Sequence, residues 1–408
     1  MRNRRGGRLI TALVIALIIL PFAVQDGMAA RHRHPVRRST PRSRRATTAV
    51  RDLGRTPSFV SALVIDASTG QVLYQKDPHQ VRAPASLSKM MLEVLALEAI
   101  RDGKMRTDEY VRVPDEVRKV GGTRVRLRPG EPVTVGDLLQ ATAIASANDA
   151  ATALAFRIAG STEACVGLMN RRARELGMND THYENVHGLD RAGEPGNLTT
   201  AWDLAILARQ LLKMPEILKI SSTVEATIRY GQVIHTTNRL LGRCEGVDGL
   251  KTGYTARAGF CLVSTAVREN LRVISIVLGA RSNFRRFYDS ANLLANVYSN
   301  WDLVRVVSKG QDLGQDLVVH DGKSDSVRLM AGQDMNVLVS TKRASDIRLA
   351  ITAPPSTRAP IARGWTLGHV QVLVGDSVAA EGPAVAGGTI KRAGVPGMLD
   401  GLMETLPH

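Results

Sequence analysis

Ser86 and Lys89, near the start of a predicted helix, could form a nucleophile and its base. In the stretch PASLSKMM, residues 84–91, the serine precedes the lysine by three positions, so that one helical turn places both side chains on one face. A serine hydroxyl attacks a carbonyl only when a base takes its proton, and a lysine can do this when burial and positive charge lower its pKa by roughly 3 units. The same serine could instead cap the helix, since cap hydroxyls accept from the free N–H groups of the first turn.

Two further motifs favour the catalytic interpretation. Ser146 and Asn148 lie in SAN, in a polar break between two predicted helices, where side chains can point into a cleft. Lys251, Thr252 and Gly253 lie in GLKTGYT, a strand-like segment whose glycine lets a ligand or another backbone approach closely. The patterns SxxK, SxN and KTG, in that order and separated by 60 and 105 residues, together indicate acyl transfer through a serine.

In these motifs the chain resembles the penicillin-recognising serine enzymes, and within them the low-molecular-weight D-alanyl-D-alanine carboxypeptidases. The segments SALVIDASTGQVLYQKD, NDTHYENVHGLD, VDGLKTGYTARAGFCLVSTA and ISIVLGARSNFRR also read like that family, and the resemblance covers about residues 57–395. It implies that Ser86 attacks the bond between the terminal D-alanines of a peptidoglycan stem pentapeptide. It also implies that β-lactams acylate the same serine and that no cofactor is needed.

The residue types suggest a separate chemical role for each polar residue of the three motifs. Lys251 could supply the positive charge that keeps Lys89 neutral, and with Thr252 it suits a substrate carboxylate, one as a charge and one as a hydrogen-bond donor. The hydroxyl of Ser146 both donates and accepts, so it can pass a proton to the departing D-alanine nitrogen. Asn148 can hold the substrate amide and orient Lys89.

Other site residues are expected wholly or partly from the resemblance. A helix N-terminus would place the N–H of Ser86 to help bind an oxyanion, and the resemblance adds the N–H of Tyr254 as the second donor. The family also places an arginine near the substrate carboxylate, for which Arg286 is the best match and Arg285 and Arg281 are alternatives. His187, in VHGLD, corresponds to a loop that borders the cleft; a catalytic ring and a ring satisfied by backbone both stay open.

The distribution of apolar residues predicts an α+β fold, a β-lactamase/transpeptidase-like domain in which an antiparallel sheet packs with helices. A hairpin over 58–76 and strands over 259–279 flank helices over 86–101, 134–158, 161–176 and 200–213, and a further helix covers 284–298. Short Val- and Leu-rich runs from Trp301 onward predict a small all-β domain. The resulting boundaries are a signal peptide 1–30, a linker 31–56, a catalytic domain 57–300, a β-rich domain 301–395 and a tail 396–408.

Charge is concentrated at the N-terminus, which argues against a nucleic-acid partner. Of the net charge of +16, residues 1–56 carry +11, from 13 Arg and two Asp. Residues 1–30 place four arginines before an apolar run of about 16 residues and small residues, which is typical of an export signal. We therefore expect a periplasmic or envelope location with the signal cleaved. The Arg-rich linker is either a solvated spacer or an electrostatic contact with the envelope.

The three cysteines, Cys165, Cys244 and Cys261, have no CxxC spacing, so a disulfide in an exported chain could join any pair. No group of His, Cys and Asp has the spacing of a zinc or calcium site, and no metal is expected.

The nearest alternative is a serine β-lactamase, which shares the three motifs. Its rapid deacylation is associated with a Glu-x-x-Leu-Asn loop, whereas the corresponding residues here are Glu184-Asn185-Val186-His187-Gly188. That mismatch and the additional β domain favour the carboxypeptidase. A non-catalytic penicillin-binding scaffold is disfavoured by the intact motifs.

Overall fold

The computed structural model describes residues 57–190, 193 and 196–393. Within them the chain divides into two compact units, which meet in sequence between Ser299 and Asn300. The predicted signal peptide 1–30, linker 31–56 and tail 396–408 lie outside the described residues. No helix in the described part is both long and apolar enough to span a bilayer.

The first unit is an α+β domain, as predicted. Its strands are β1 Ser61–Asp66, β2 Val72–Lys76, β3 Tyr110–Arg112, β4 Pro132–Thr134, β5 Glu225–Ile228, β6 Gln232–His235, β7 Val247–Thr255, β8 Gly259–Arg268 and β9 Leu271–Ala280. Its α-helices are α1 Lys89–Arg101, α2 Val135–Ala143, α3 Asn148–Ala159, α4 Thr162–Leu176, α5 Ala201–Leu212, α6 Pro215–Ser221 and α7 Asn283–Asn300. The sequence patterns missed α6 and the two short antiparallel strand pairs β3–β4 and β5–β6, whose elements are too short to show a clear period.

Five of these strands form one antiparallel sheet in the order β2-β1-β9-β8-β7. The strand that carries the KTG motif, β7, is therefore an edge strand paired only with β8 within this sheet. An edge strand leaves one row of backbone N–H and C=O groups free to pair with an extended peptide. The sheet thus presents the motif where a substrate backbone can reach it.

Helix α1 passes through the middle of the core, with Leu87, Met90, Met91 and Leu92 completely buried around it. The predicted helix start at Ser86 was wrong by three residues, because residues Ala85–Ser88 form a 3₁₀ turn and the α-helix begins at Lys89. The chain enters this turn through Ala85, whose φ is +50°. With three residues per turn, a 3₁₀ helix stacks positions i and i+3 directly above one another.

The predicted break between two helices is confirmed between Ala143 and Asn148. Ser146 has a φ of +59° there, a left-handed conformation that costs a non-glycine residue free energy unless the surroundings hold it. The first turn of α3 helps to hold the break, because the carboxylate of Asp149 accepts from the N–H groups of Val125 and Leu127. At the other end, Gly160 closes α3 in the left-handed conformation, as predicted.

The second unit is all-β, as predicted. Its strands are β10 Trp301–Val307, β11 Asp312–His320, β12 Ser326–Ala331, β13 Met335–Ser340, β14 Ile347–Thr352, β15 Ser356–Arg358, β16 Thr366–Val374 and β17 Ser377–Ala386. Six of them form a sheet in the order β14-β16-β17-β12-β11-β15, while β10 pairs with β13. A separate apolar core lies inside this unit.

Candidate active site

Lys89 is the centre of the site, with its side-chain nitrogen in contact with three oxygens. Its Nζ lies 3.0 Å from Ser86 Oγ, 2.7 Å from Asn148 Oδ1 and 3.0 Å from the carbonyl oxygen of His187. The three partners come from the 3₁₀ turn, from α3 and from the loop between α4 and α5. The predicted pair of nucleophile and base is therefore within hydrogen-bond distance.

Burial lowers the pKa of Lys89 well below its usual value, and the nearby charge of Lys251 lowers it further, against the opposing effects of Glu93 and Asp149. A neutral amine has two N–H donors and one lone pair. Asn148 Oδ1 and the His187 carbonyl can only accept, so they take the two donors. The lone pair is then directed at the hydroxyl of Ser86, which is the arrangement that a base requires.

The SxN motif lies beside this lysine. Asn148 is 4% exposed, and its amide donates to the carbonyl of Gly121 at 2.8 Å while its oxygen accepts from Lys89. These two bonds fix the amide orientation. Ser146 is buried in the adjacent break, but the three bonds of Lys89 go to Ser86, Asn148 and His187 rather than to its hydroxyl.

The loop that carries His187 contributes a backbone carbonyl to the site. Its ring accepts from the N–H of Leu189 at 3.1 Å, so one ring nitrogen is occupied by backbone. Two asparagines fasten the loop: Asn185 accepts from the N–H of Gly188, and Asn197 accepts from that of Asn185. Sequence analysis missed these asparagines, although polar residues clustered around a glycine are a usual signal of a hydrogen-bonded loop.

Ser88, which the sequence analysis left without a role, connects this loop to the nucleophile's turn. Its hydroxyl donates to the carbonyl of Ala85 and accepts from the side-chain amide of Asn197 at 2.8 Å. Gly188 packs so closely on the turn that a Cβ would lie 1.8 Å from the carbonyl oxygen of Ala85. The turn and the loop are therefore held as one unit around Lys89.

The KTG strand forms the opposite side of the site. Lys251 is 1% exposed, and its Nζ donates to the carbonyl of Thr252 at 3.3 Å. Burial lowers the pKa of Lys251, while the carboxylate of Glu93 acts to raise it and Arg286 to lower it. The Thr252 hydroxyl lies 2.7 Å from that of Thr237, a partner that no sequence pattern indicated.

Gly253 brings the strand against the turn of the nucleophile. A Cβ at this position would lie 2.9 Å from the carbonyl oxygen of Pro84 and 3.1 Å from the backbone nitrogen of Ser86. Both neighbours are backbone atoms, so they cannot move aside as a flexible side chain could. The glycine is thus required for close approach at the point where the sequence predicts an oxyanion donor.

We expect Gly253→Ala to lower the rate of acylation of Ser86 by about 10²-fold, because a displacement of less than 1 Å at an oxyanion donor is costly. Stopped-flow measurement with a fluorescent penicillin checks this value. Gly167→Ala, on α4 at a position with no positive φ and no atom within 4 Å of the added Cβ, is the control for the presence of a methyl group. An unchanged acylation rate in a folded Gly253→Ala protein would contradict the close-approach argument.

Arg286 is buried behind β7 rather than exposed to the cleft. Its guanidinium donates to the carbonyl oxygens of Gly253 at 2.9 Å and Cys261 at 3.3 Å and lies over the rings of Phe260 and Phe287. These contacts hold the KTG strand in place. A direct contact between Arg286 and a substrate carboxylate stays a prediction. The alternatives are placed differently: Arg285 lies 3.9 Å from Asp289, and Arg281 is exposed.

An open cleft of about 530 Å³ lies in front of these groups. Ser86, Asn148, His187 and Tyr254 line it, together with Gly122, Thr123, Gly188, Leu189, Asp190, Thr255, Ala256 and Arg257. The ring of Tyr254 is 55% exposed and stacks on Phe260 with 4.1 Å between ring centroids. The structure therefore brings residues of all three motifs together, with the nucleophile facing the cleft and both lysines buried behind it.

One charged residue of this region was missed. Glu93 is buried four residues beyond Lys89 on α1, and both lysines of the site act on its charge. The sequence did contain a signal for this residue, because Glu93 is a single acidic residue within the apolar run MMLEVLAL, residues 90–97.

No cluster of metal ligands exists in the described part of the chain, and all three cysteines are free thiols. Two of them, Cys165 and Cys261, are buried.

Comparison with known proteins identifies the family. Residues 52–282 match the family described as D-alanyl-D-alanine carboxypeptidase, and residues 301–392 match the C-terminal domain of penicillin-binding protein 5. The chain belongs to the D-alanyl-D-alanine carboxypeptidase family. It is 35% identical over 341 residues to the carboxypeptidase DacF of Bacillus subtilis, an alignment that covers 82% of this chain and 86% of that one.

Two solved structures of family members are similar to this carboxypeptidase. Penicillin-binding protein 5 of Haemophilus influenzae matches with a TM-score of 0.67 and 26% identity over 83% of this chain and 99% of that one. Penicillin-binding protein D2 of Listeria monocytogenes, in its ampicillin-bound form, matches with a TM-score of 0.55 and 34% identity over 59% of this chain and 98% of that one. The fold predicted from the sequence is thereby confirmed for both units.

Proposed function

We propose that this protein is a serine D-alanyl-D-alanine carboxypeptidase that removes the terminal D-alanine from peptidoglycan stem pentapeptides. The observation that carries the proposal is the position of Lys89, which is buried and has Nζ 3.0 Å from Ser86 Oγ, with Ser86 lining the cleft. This arrangement supplies an activated hydroxyl at a cleft that a peptide carbonyl can enter.

In the first step, Ser86 Oγ attacks the carbonyl carbon between the two terminal D-alanines while its proton passes to Lys89 Nζ. The carbonyl oxygen becomes an oxyanion, for which the backbone N–H groups of Ser86 and Tyr254 are the donors we propose. The closeness of Gly253 to the nitrogen of Ser86 supports this pairing, because it brings the two backbones together.

In the second step, the C–N bond breaks and D-alanine leaves with a proton on its nitrogen. We propose that this proton comes from the hydroxyl of Ser146, which lies buried in the break beside Asn148, and that Ser146 regains a proton from Lys89, so that the amine is neutral again. Water then attacks the ester carbonyl and passes its proton to the neutral Lys89, which gives that proton to Ser86 Oγ as the ester bond breaks. The free serine, the neutral lysine and the shortened peptide are thereby restored or released.

Recognition of the terminal carboxylate is assigned to the KTG strand. A carboxylate at this edge would meet the positive charge of Lys251 and the hydroxyl of Thr252, with Arg286 adding charge from behind the strand. Asn148 and the free edge of β7 would hold the peptide backbone.

β-Lactams carry a carboxylate and a reactive amide, so we propose that they acylate Ser86 and leave slowly. Asp190 supplies the one carboxylate among the described residues that line the cleft. This carboxylate lies 3.9 Å from the guanidinium of Arg257. Glu184, in the position where a β-lactamase would place its deacylating glutamate, instead pairs with His182 at 3.0 Å and lines a different cavity. These contacts favour the carboxypeptidase over the β-lactamase.

The test is incubation of the purified protein with diacetyl-L-Lys-D-Ala-D-Ala and, separately, with a fluorescent penicillin. We expect release of one D-alanine per peptide and a penicilloyl adduct that persists far longer than one peptide turnover. Rapid penicillin turnover without D-alanine release would favour a β-lactamase, and a stable adduct without D-alanine release would favour a binding scaffold.

We also propose that the protein acts outside the cytoplasmic membrane. The basic and apolar pattern of residues 1–30 supports export, and the Arg-rich residues 31–56 would be attracted to an anionic envelope surface. Fractionation of cells that produce the full chain, with N-terminal sequencing of the recovered protein, tests the location and the cleavage.

A further inference from the structure

Glu93 is an ionisable residue that the proposed chemistry does not use. It lies on α1 with 2% of its surface exposed, and its Oε1 is buried with no hydrogen-bond partner among the described residues. A buried carboxylate oxygen without a partner is costly, and a packing role would be filled better by an apolar residue. Its charge therefore calls for a functional explanation.

The position of Glu93 relates it to the two lysines of the site. Four residues separate it from Lys89 on α1, so that the two side chains share one face of the helix. Lys251 lies on β7, its charge and that of Glu93 act on each other, and all three residues are buried. The site thus contains a cluster of two amines and one carboxyl group, shielded from water.

Each member of this cluster changes the proton affinity of the others. Burial raises the pKa of Glu93, and the charges of Lys251 and, less strongly, Lys89 oppose that rise. Glu93 is the strongest charge acting on Lys251, whereas Lys251 outweighs Glu93 in its effect on Lys89. The remaining charged groups that act on these lysines are Asp149 from α3, near Lys89, and Arg286 from α7, near Lys251.

The reaction needs opposite protonation states in two lysines that are both buried. Lys89 must be neutral to accept a proton, and Lys251 must be charged to bind a carboxylate. Desolvation alone favours the neutral form of both. A carboxylate that raises the pKa of Lys251 more than that of Lys89 moves the two pKa values apart.

We propose that Glu93 is a positioning residue that keeps Lys251 charged while Lys89 stays neutral, and so sets the pH range in which the site works. This inference rests on the proposed roles of the two lysines but not on the identity of the peptide substrate. It can therefore be tested with a penicillin, which presents a carboxylate and acylates a serine.

The experiment measures the second-order rate constant for acylation by a fluorescent penicillin from pH 5 to 10, in the wild type and in Glu93→Gln. The rate is expected to fall at acid pH as Lys89 gains a proton and at alkaline pH as Lys251 loses one. Removal of the negative charge lowers the pKa of both lysines. We expect the alkaline limb to move down by about one pH unit. The acid limb should move by less, because burial raises the pKa of Glu93 to about 7 and the carboxyl group already loses its charge there.

Glu98→Gln is the matched control, because it removes the same charge from the same helix. Glu98 pairs with Arg172 at 2.7 Å and Gln210 at 3.0 Å, away from the lysines, so its profile should match that of the wild type. Glu93→Met, which also removes the charge but fills the space with apolar atoms, should shift the limbs as Glu93→Gln does.

A rate that is lowered equally at every pH in both Glu93 variants would overturn the proposal and leave a packing role. Equal shifts in Glu93→Gln and Glu98→Gln would also overturn it, since they would show a general effect of net charge. D-alanine release is measured in parallel on the wild type. Its absence alongside shifted acylation limbs would contradict the peptidase proposal and support the inference about Glu93.

Discussion

Ser86→Ala should lower D-alanine release by about 10⁴-fold or more and abolish covalent labelling by penicillin. The reason is that the variant lacks the oxygen that forms the acyl bond, while the oxyanion donors and the carboxylate site stay in place. The half-buried hydroxyl of Ser86 contacts Lys89 and contributes no cap hydrogen bond to the helix. The protein should therefore remain folded and should still bind the peptide.

The matched control is Ser88→Ala, which removes a hydroxyl from the same turn. It loses the bond to Asn197 that fastens the His187 loop, so its rate should fall, but labelling should persist. Mass spectrometry of the penicillin adduct and thermal unfolding distinguish the two variants. Label retained in Ser86→Ala would remove Ser86 from its proposed role.

Lys89→Met should lower the rate of acylation by about 10³-fold, within the range attributed to a general base. Methionine fits the volume of the lysine stem but leaves Asn148 Oδ1 and the His187 carbonyl without their donor. Lys89→Arg is the second variant, because it keeps a donor and a positive charge but does not lose its proton near neutral pH.

Both Lys89 variants should be slow at every pH between 5 and 10, as measured by stopped-flow acylation, with thermal unfolding as the check on folding. If Lys89→Arg acylated at a rate close to that of the wild type, the lysine would act as a fixed charge rather than as a base. The wild-type rate should rise with pH at the acid limb, because the lowered pKa of Lys89 makes the neutral amine available as pH increases.

Local sequence patterns were sufficient for most of the frame that carries the site. The i+3 spacing of Ser86 and Lys89, the polar break before Asn148 and the terminal Gly160 each depend on near neighbours in the chain. Such features are set by the backbone geometry of a few consecutive residues. The three short motifs and their order therefore indicated the chemistry before any long-range contact was known.

The sequence could not show how these segments meet. Lys89 receives its partners from positions 59 and 98 residues further along the chain, and one of them is a backbone carbonyl, which every residue possesses. Arg286 was predicted near the substrate carboxylate, and the sequence could not show that its guanidinium would bond to the carbonyl of Gly253 and pack against Phe260 and Phe287. A helical period shows which face is buried and does not show what lies across from it.

By itself, the sequence determined the fold class and the order of the motifs and predicted the serine and the base, because these follow from residue type and local spacing. Only the tertiary structure decided that β7 is an edge strand, that Gly253 contacts the nucleophile's turn and that Glu93 shares its burial with two lysines. The physical reason is that desolvation and Coulomb interaction depend on distances between segments far apart in the chain. The charge states on which the reaction depends are properties of the packed protein.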